Sequence, residues 1–169
     1  MSQILVAFAT KNGSTEEVAG AIATALRGTG CTVTLRRARE VKEPIRGSDL
    51  VVLGAPLYSG RWHRDAHRFL KSHRDELGSV PIAVFGMGPR SGEEEGWRRS
   101  RAQLDRALAK RPWLSPVAVA VFGGVDPPRG RRERRDLRDW TVIGGWAAQL
   151  APRPGASTAP PPETTRSAV

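Results

Sequence analysis

At 169 residues, 39% hydrophobic and 26% charged, the chain is long enough for one buried core and has no apolar run able to span a bilayer. The single cysteine, Cys31, excludes an internal disulfide and a cysteine-based metal cluster; with no secretory signal at its start, a soluble cytoplasmic protein is the expectation. The formal net charge of +10 suits an anionic partner, yet arginine is spread among Ala, Gly and Pro along the chain, as a compositional habit would give.

Ile4 to Ala9 is continuously apolar and reads as a strand buried on both faces. Thr10-Lys11-Asn12-Gly13-Ser14-Thr15 interrupts it, and from Thr15 onward Val18, Ile22, Ala25 and Leu26 fall on one helical face, with Glu16 and Glu17 in the first turn. Gly28 and Gly30 close that helix. Thr32 to Leu35 alternates, so it is a short strand with one buried face at a sheet edge. Ala38 to Ser48, with Pro44 and Gly47, is a crossover, and Asp49 to Ala55 is a second fully buried strand. Pro56-Leu57-Tyr58-Ser59-Gly60-Arg61-Trp62 reads as a loop with two aromatics and a glycine.

A helix follows from about His63 to Leu77, with Ala66, Phe69, Leu70, His73 and Leu77 inward. Pro81 to Met87 is a third buried strand, and Gly88 to Gly96 is a loop. The next helix runs from Trp97 to about Lys110, with Trp97, Leu104 and Leu108 inward. Val117 to Phe122 is the last strand and Gly123 to Gly130 a loop. A final helix ending near Leu150 turns Leu137, Trp140, Ile143, Ala147 and Leu150 inward. Gly144 and Gly145 weaken it by about 1 kcal/mol each, which packing of its two tryptophans must offset. Residues 151–169 are rich in Pro, Ala, Ser and Thr without an aromatic, so they are expected to be a disordered tail on a domain spanning 1–150.

Five strands alternating with helices imply an α/β, doubly wound parallel sheet with helices on both faces. The order 2-1-3-4-5 places the polar second strand at an edge. Ligands then sit beyond the carboxyl ends of strands 1 and 3, where Thr10–Thr15 and Pro56–Trp62 meet. A helix N-terminus carries unpaired N–H donors and partial positive charge, so the first of these turns suits a phosphate. Gly13 lets the backbone approach the anion. The pattern is neither a Walker A loop nor Gly-x-Gly-x-x-Gly, and an ordinary strand–turn–helix with a Ser or Thr N-cap also fits it.

Thr10-x-x-Gly13-x-Thr15 after a first strand, together with Asp49-Leu-Val-Val-Leu-Gly-Ala-Pro56-Leu-Tyr58-Ser-Gly60, resembles the flavodoxin superfamily, whose flavodoxin-like fold binds FMN. The nearer similarity is to its branch of menaquinone-dependent protoporphyrinogen oxidases, through Glu43-Pro44, the Gly-Ala-x-x-Tyr region and Asp139-Trp140 with Trp146-Ala147 and Leu150. The resemblance implies that Thr10, Lys11, Asn12, Gly13, Ser14 and Thr15 hold the FMN phosphate. It implies that Pro56, Leu57, Tyr58, Ser59, Gly60 and Trp62 lie along the isoalloxazine, with Tyr58 or Trp62 stacking, and that Met87, Gly88, Pro89, Arg90 and Gly92 form the opposite wall. That branch carries a long basic insertion after its last strand, and here only Gly123–Gly130 and a short arginine-rich stretch occupy the place. Flavin binding is untouched by this departure, whereas porphyrinogen oxidation is put in question.

Arg129, Arg131, Arg132, Arg134, Arg135 and Arg138 cluster near the final helix, interrupted by acids. They form either a solvated helix start or a docking face for an acidic redox partner or anionic membrane. Nucleic acid is not expected, because aromatic interleaving and any known module are missing. His63 and His67 lack a third metal ligand, and Glu93–Glu95 suits a helix start. No Ser–His–Asp or Cys–His set has coherent spacing, so the expected function is cofactor-borne: electron transfer to a redox partner protein, or oxidation of a small reduced substrate. A shell without cofactor, serving as a binding module, is the alternative of another class. Flavodoxins are typically acidic, and an arginine-rich protein penalises an anionic reduced flavin less. A redox titration at low salt is expected to give a low-potential couple less negative than in acidic flavodoxins; an equal or more negative value contradicts this.

Overall fold

The computed structural model describes residues 1–126 and 135–152. Six strands, β1 (Gln3–Phe8), β2 (Thr32–Arg37), β3 (Leu50–Tyr58), β4 (Arg61–Trp62), β5 (Ile82–Met87) and β6 (Ala118–Phe122), alternate with α1 (Ser14–Gly28), α2 (Arg64–Ser72), α3 (Arg74–Leu77), α4 (Glu94–Ala109) and α5 (Trp140–Leu150). The main sheet runs β2-β1-β3-β5-β6, every neighbour parallel. It is the five-strand order read from the sequence, with β4 added as an antiparallel partner of the end of β3.

The period-two alternation of the strands builds two cores. Ile4, Val6, Phe8, Leu50, Val52, Ala83 and Phe85 face α1 and α5, where Val18, Ile22, Leu26, Ile143 and Ala147 meet them. Leu5, Ala7, Val51, Leu53 and Val84 face the other way, against Phe69, Leu70, Leu77 and Leu104 of α2, α3 and α4. Gly54 is required by close approach: the Phe85 ring lies over it, and a Cβ there would stand 1.9 Å from Phe85 Cζ. Phe85, Phe122 and Trp146 then form an aromatic triangle with centroids 5.5–6.1 Å apart, which fastens α5 to the sheet.

The structure departs from the sequence reading at several places. The helix expected over His63–Leu77 is two helices with a bend at His73, although all five inward residues are buried. At the bend the buried His73 ring packs 4.6 Å from Phe69 and its Nδ1 sits 3.1 Å from Glu76 Oε1. The other Glu76 oxygen accepts from the Ile45 and Arg46 N–H groups at 2.6 and 2.8 Å, tying the β2–β3 crossover to α3. Burial alone would raise the Glu76 carboxyl; the bond from His73 and these two N–H groups outweigh it and hold it below the ordinary carboxylate range.

The last helix begins only at Trp140, capped by Asp139 accepting from the Val142 N–H at 3.1 Å. Leu137 lies ahead of it in an extended segment that bridges Asp136 to Val125. Trp140 is 45% exposed, not inward, and the Arg138 guanidinium covers its ring at 4.8 Å. Trp97 is half-buried and outside both cores, because α4 starts at Glu94 and leaves that residue on its rim. Residues 153–169 of the expected tail, and Arg129, Arg131, Arg132 and Arg134, lie outside the described residues.

Two glycine substitutions should move stability in opposite directions. Gly54→Ala forces Phe85 aside and is expected to cost about 1–3 kcal/mol. Gly145→Ala, exposed on α5 with nothing near its Cβ, should gain about 1 kcal/mol. Urea unfolding with unchanged slope for both variants is the measurement.

Candidate functional site

The site begins where β1 ends. Thr10 Oγ1 accepts the Gly13 N–H at 2.9 Å, and Gly13 sits at φ 88° as the N-cap of α1. No side chain caps the helix there. The turn is therefore not the ordinary Ser- or Thr-capped start, and the first-turn N–H groups are left with their partial positive charge. Thr15, one residue into the helix, is 1% exposed, and its Oγ1 has no hydrogen-bond partner. A buried hydroxyl left unpaired beside free N–H donors costs free energy unless a ligand oxygen meets it, so the turn is chemically suited to an oxyanion.

Pro56–Trp62 is a β-hairpin rather than a loop. Leu57 pairs with Trp62 and Tyr58 with Arg61, and the turn residues Ser59 and Gly60 both have positive φ, 47° and 78°. That is the sign pattern of a type I′ turn, whose twist matches the strands it joins. The hairpin turns its two aromatics opposite ways. Trp62 is 3% exposed in the α2–α4 core, with its Nε1 donating to the Ala55 carbonyl at 3.2 Å. Tyr58 stays half-buried beside the site, under Lys11 Nζ at 4.9 Å. Burial pushes the Tyr58 phenol up against the opposing charge of Arg90, so it is neutral.

A hollow of about 640 Å³ lies between these parts. It brings together Lys11 and Asn12 from the first turn, Leu57, Tyr58, Ser59 and Gly60 from the hairpin, and Gly88, Pro89 and Arg90 from the end of β5. Thr10, Gly13, Ser14 and Thr15 shape the helix start without lining the hollow; Pro56 and Met87 are buried in their strands, and Gly92 is exposed beyond it. Two lining residues escaped the sequence reading, Ser100 and Gln103 of α4. Their signal was a polar pair at helical spacing beside the apolar Leu104 and Ala107. Lys11 and Arg90 are the charged groups of the lining and no carboxylate joins them, which again favours an anion.

The histidines are occupied by the fold. His63 Nδ1 accepts the Asp65 N–H at 3.0 Å and caps α2. His67 Nδ1 lies 2.8 Å from Arg111 Nη1, and the His67 carbonyl accepts from Nη2 at 3.1 Å. A guanidinium only donates, so the His67 proton is on Nε2. Burial first, then the charges of Arg111 and Lys110, hold His67 below its ordinary value. Of the arginine cluster, Arg138 pairs with Glu17 at 2.8 Å and Asp136 at 2.7 Å, and Arg135 with Asp126 at 3.3 Å.

Comparison with known proteins agrees with this fold. The family model of the flavodoxin domain matches residues 5–136. A protoporphyrinogen IX dehydrogenase (quinone) of Escherichia coli is 26% identical over 129 residues, 75% of this chain and 71% of that protein. Oxidised flavodoxin 1 of Bacillus cereus superposes with a TM-score of 0.60 at 22% identity, covering 88% of this chain and 96% of its own. A flavodoxin from the domain Archaea gives 0.61 at 14% identity, covering 88% and 96%.

Because the folded pKa of His67 is depressed, its contribution to stability is complete above about pH 6.5 and is lost as pH falls below that value toward the folded pKa. Thermal unfolding between pH 7.5 and 5 should show His67→Gln losing less stability on acidification than the parent; parallel curves would contradict the assignment.

Proposed function

Since the chain belongs to the flavodoxin domain family, whose cofactor is FMN, we propose that it is an FMN-binding redox protein that passes electrons to a partner or oxidises a small reduced substrate. The observation that carries this reading is the head of α1: an uncapped helix start with the buried, unpaired Thr15 hydroxyl at the carboxyl end of β1. The phosphate would be held there by the Thr15 and Ser14 hydroxyls and the first-turn N–H groups. Tyr58 and Leu57 on the hairpin, and Gly88 to Arg90 opposite, would flank the ring. Bound FMN supplies reversible electron transfer; the residues bind it, orient it and set its electrostatic surroundings. Lys11 and Arg90 bring positive charge, and the neutral Tyr58 phenol adds none of the opposite sign.

The E. coli relative favours a second, finer reading, oxidation of a porphyrinogen with a quinone as acceptor. The sequence speaks against it, with only residues 123–139 between Phe122 and Trp140 where the resemblance to that branch implies a long basic insertion. Anaerobic assays with reduced porphyrinogen, with quinones and with a flavodoxin reductase separate enzyme from carrier.

Purified protein is expected to be yellow and to release FMN on denaturation. Thr15→Val should weaken FMN binding about 10- to 100-fold, the loss of one hydrogen bond to a charged group, measured by quenching of flavin emission. Absence of any quenching with the parent chain and excess FMN would remove the flavin reading.

A further inference from the structure

Beyond the Ser59–Gly60 turn lies a second groove of about 650 Å³, between the start of α2 and the last turns of α4. Gly60 and Gln103 line both spaces, so the two adjoin at that pair, where Gln103 Nε2 lies 3.8 Å from the position of a Cβ on Gly60. Five cations surround the groove, Arg61, Arg64, Arg68, Arg106 and Lys110, all exposed, and no carboxylate lines it. None of the five has an ion-pair partner among the described residues. The rest of α4 behaves differently, for Arg98, Arg99 and Arg101 are matched by Glu94, Glu95 and Asp105 at i,i+4 spacing. In the groove the same spacing sets like against like, Arg64 with Arg68 and Arg106 with Lys110, an arrangement that destabilises both helices. The floor is apolar, formed by Trp62 and Ala107, and the His67 Nε2–H is a neutral donor in the same lining.

We propose that this groove seats the acid groups of a small organic polyanion whose remaining part reaches the flavin hollow. The anion seat itself rests on the five cations, and only the redox role of its occupant rests on the FMN reading. Unopposed like charges held around an apolar floor are neutralised by an anion that carries apolar surface of its own. The size favours a small molecule over the face of an acidic protein, because a concave space of this volume accepts most of such a ligand's surface.

Isothermal titration of the full chain with benzene-1,2,4,5-tetracarboxylate, with and without FMN, tests the seat. Arg64→Glu/Arg106→Glu is expected to weaken binding at least tenfold and, by removing like-charge contacts, to unfold at the same or a higher temperature. Arg98→Glu/Arg101→Glu changes net charge equally on the paired side of α4 and should leave affinity within twofold. Equal loss in both variants means attraction by net charge alone and overturns the proposal. So does binding of poly-L-glutamate by a protein that does not bind the tetracarboxylate, which assigns the surface to an acidic polypeptide. A chain that takes the tetracarboxylate in the Arg64-dependent way but never binds FMN keeps the groove and loses the flavin reading; the reverse result loses the groove alone.

Discussion

The whole arrangement depends on an electrostatic constraint at one backbone turn. A helix that starts against the end of a buried strand brings N–H donors into a place with little water, and something must accept from them. In this chain the usual side-chain acceptor is missing: Gly13 occupies the cap, Thr10 is spent on the Gly13 N–H, and Thr15 is itself buried without a partner. The topology puts the hairpin and the end of β5 around that same point, because β3 and β5 are consecutive in the sheet and both deliver their carboxyl ends there. Anion affinity at the turn and a slot beside it are thus two consequences of one sheet order.

Much of this was legible in the chain. Strands such as Leu50–Tyr58 and Ile82–Met87 are apolar on both faces and bounded by turn residues, so their existence followed from composition and length alone. The order followed from the polar alternation of Thr32–Arg37, which can be satisfied only at an edge. Which aromatic of the hairpin faces the site was not legible, since Tyr58 and Trp62 are separated by a turn whose residues had no visible handedness. Only the paired register and the Trp62 bond to Ala55 decide it. The start of α5 was misread because Leu137 continues the apolar period of Trp140 and Ile143. Asp139, a residue that competes for backbone donors, ends that continuity by capping the helix two positions later.

The charge divides in a way composition could not reveal. Arginines at helical spacing from Glu or Asp are neutralised locally, as on the outer side of α4, and Arg138 is drawn under Trp140 and against Glu17. The cations lining the groove beside α2 make no ion pair among the described residues. Five unpaired cations therefore gather beside the hairpin, where they bear on whatever occupies the hollow.

The aromatic triangle bears on where the folding unit ends. The match to the family model stops at residue 136, but Ile143 and Ala147 lie fully inside the α1 face of the sheet, and Trp146 closes over Phe85 and Phe122. A polypeptide trimmed to the matched stretch would bare two phenylalanines and one flank of α1 to water. The closing helix, weak by its two glycines and fastened by Ile143, Ala147 and the Trp146 indole, is as much a part of the interior as the strand that opens the chain.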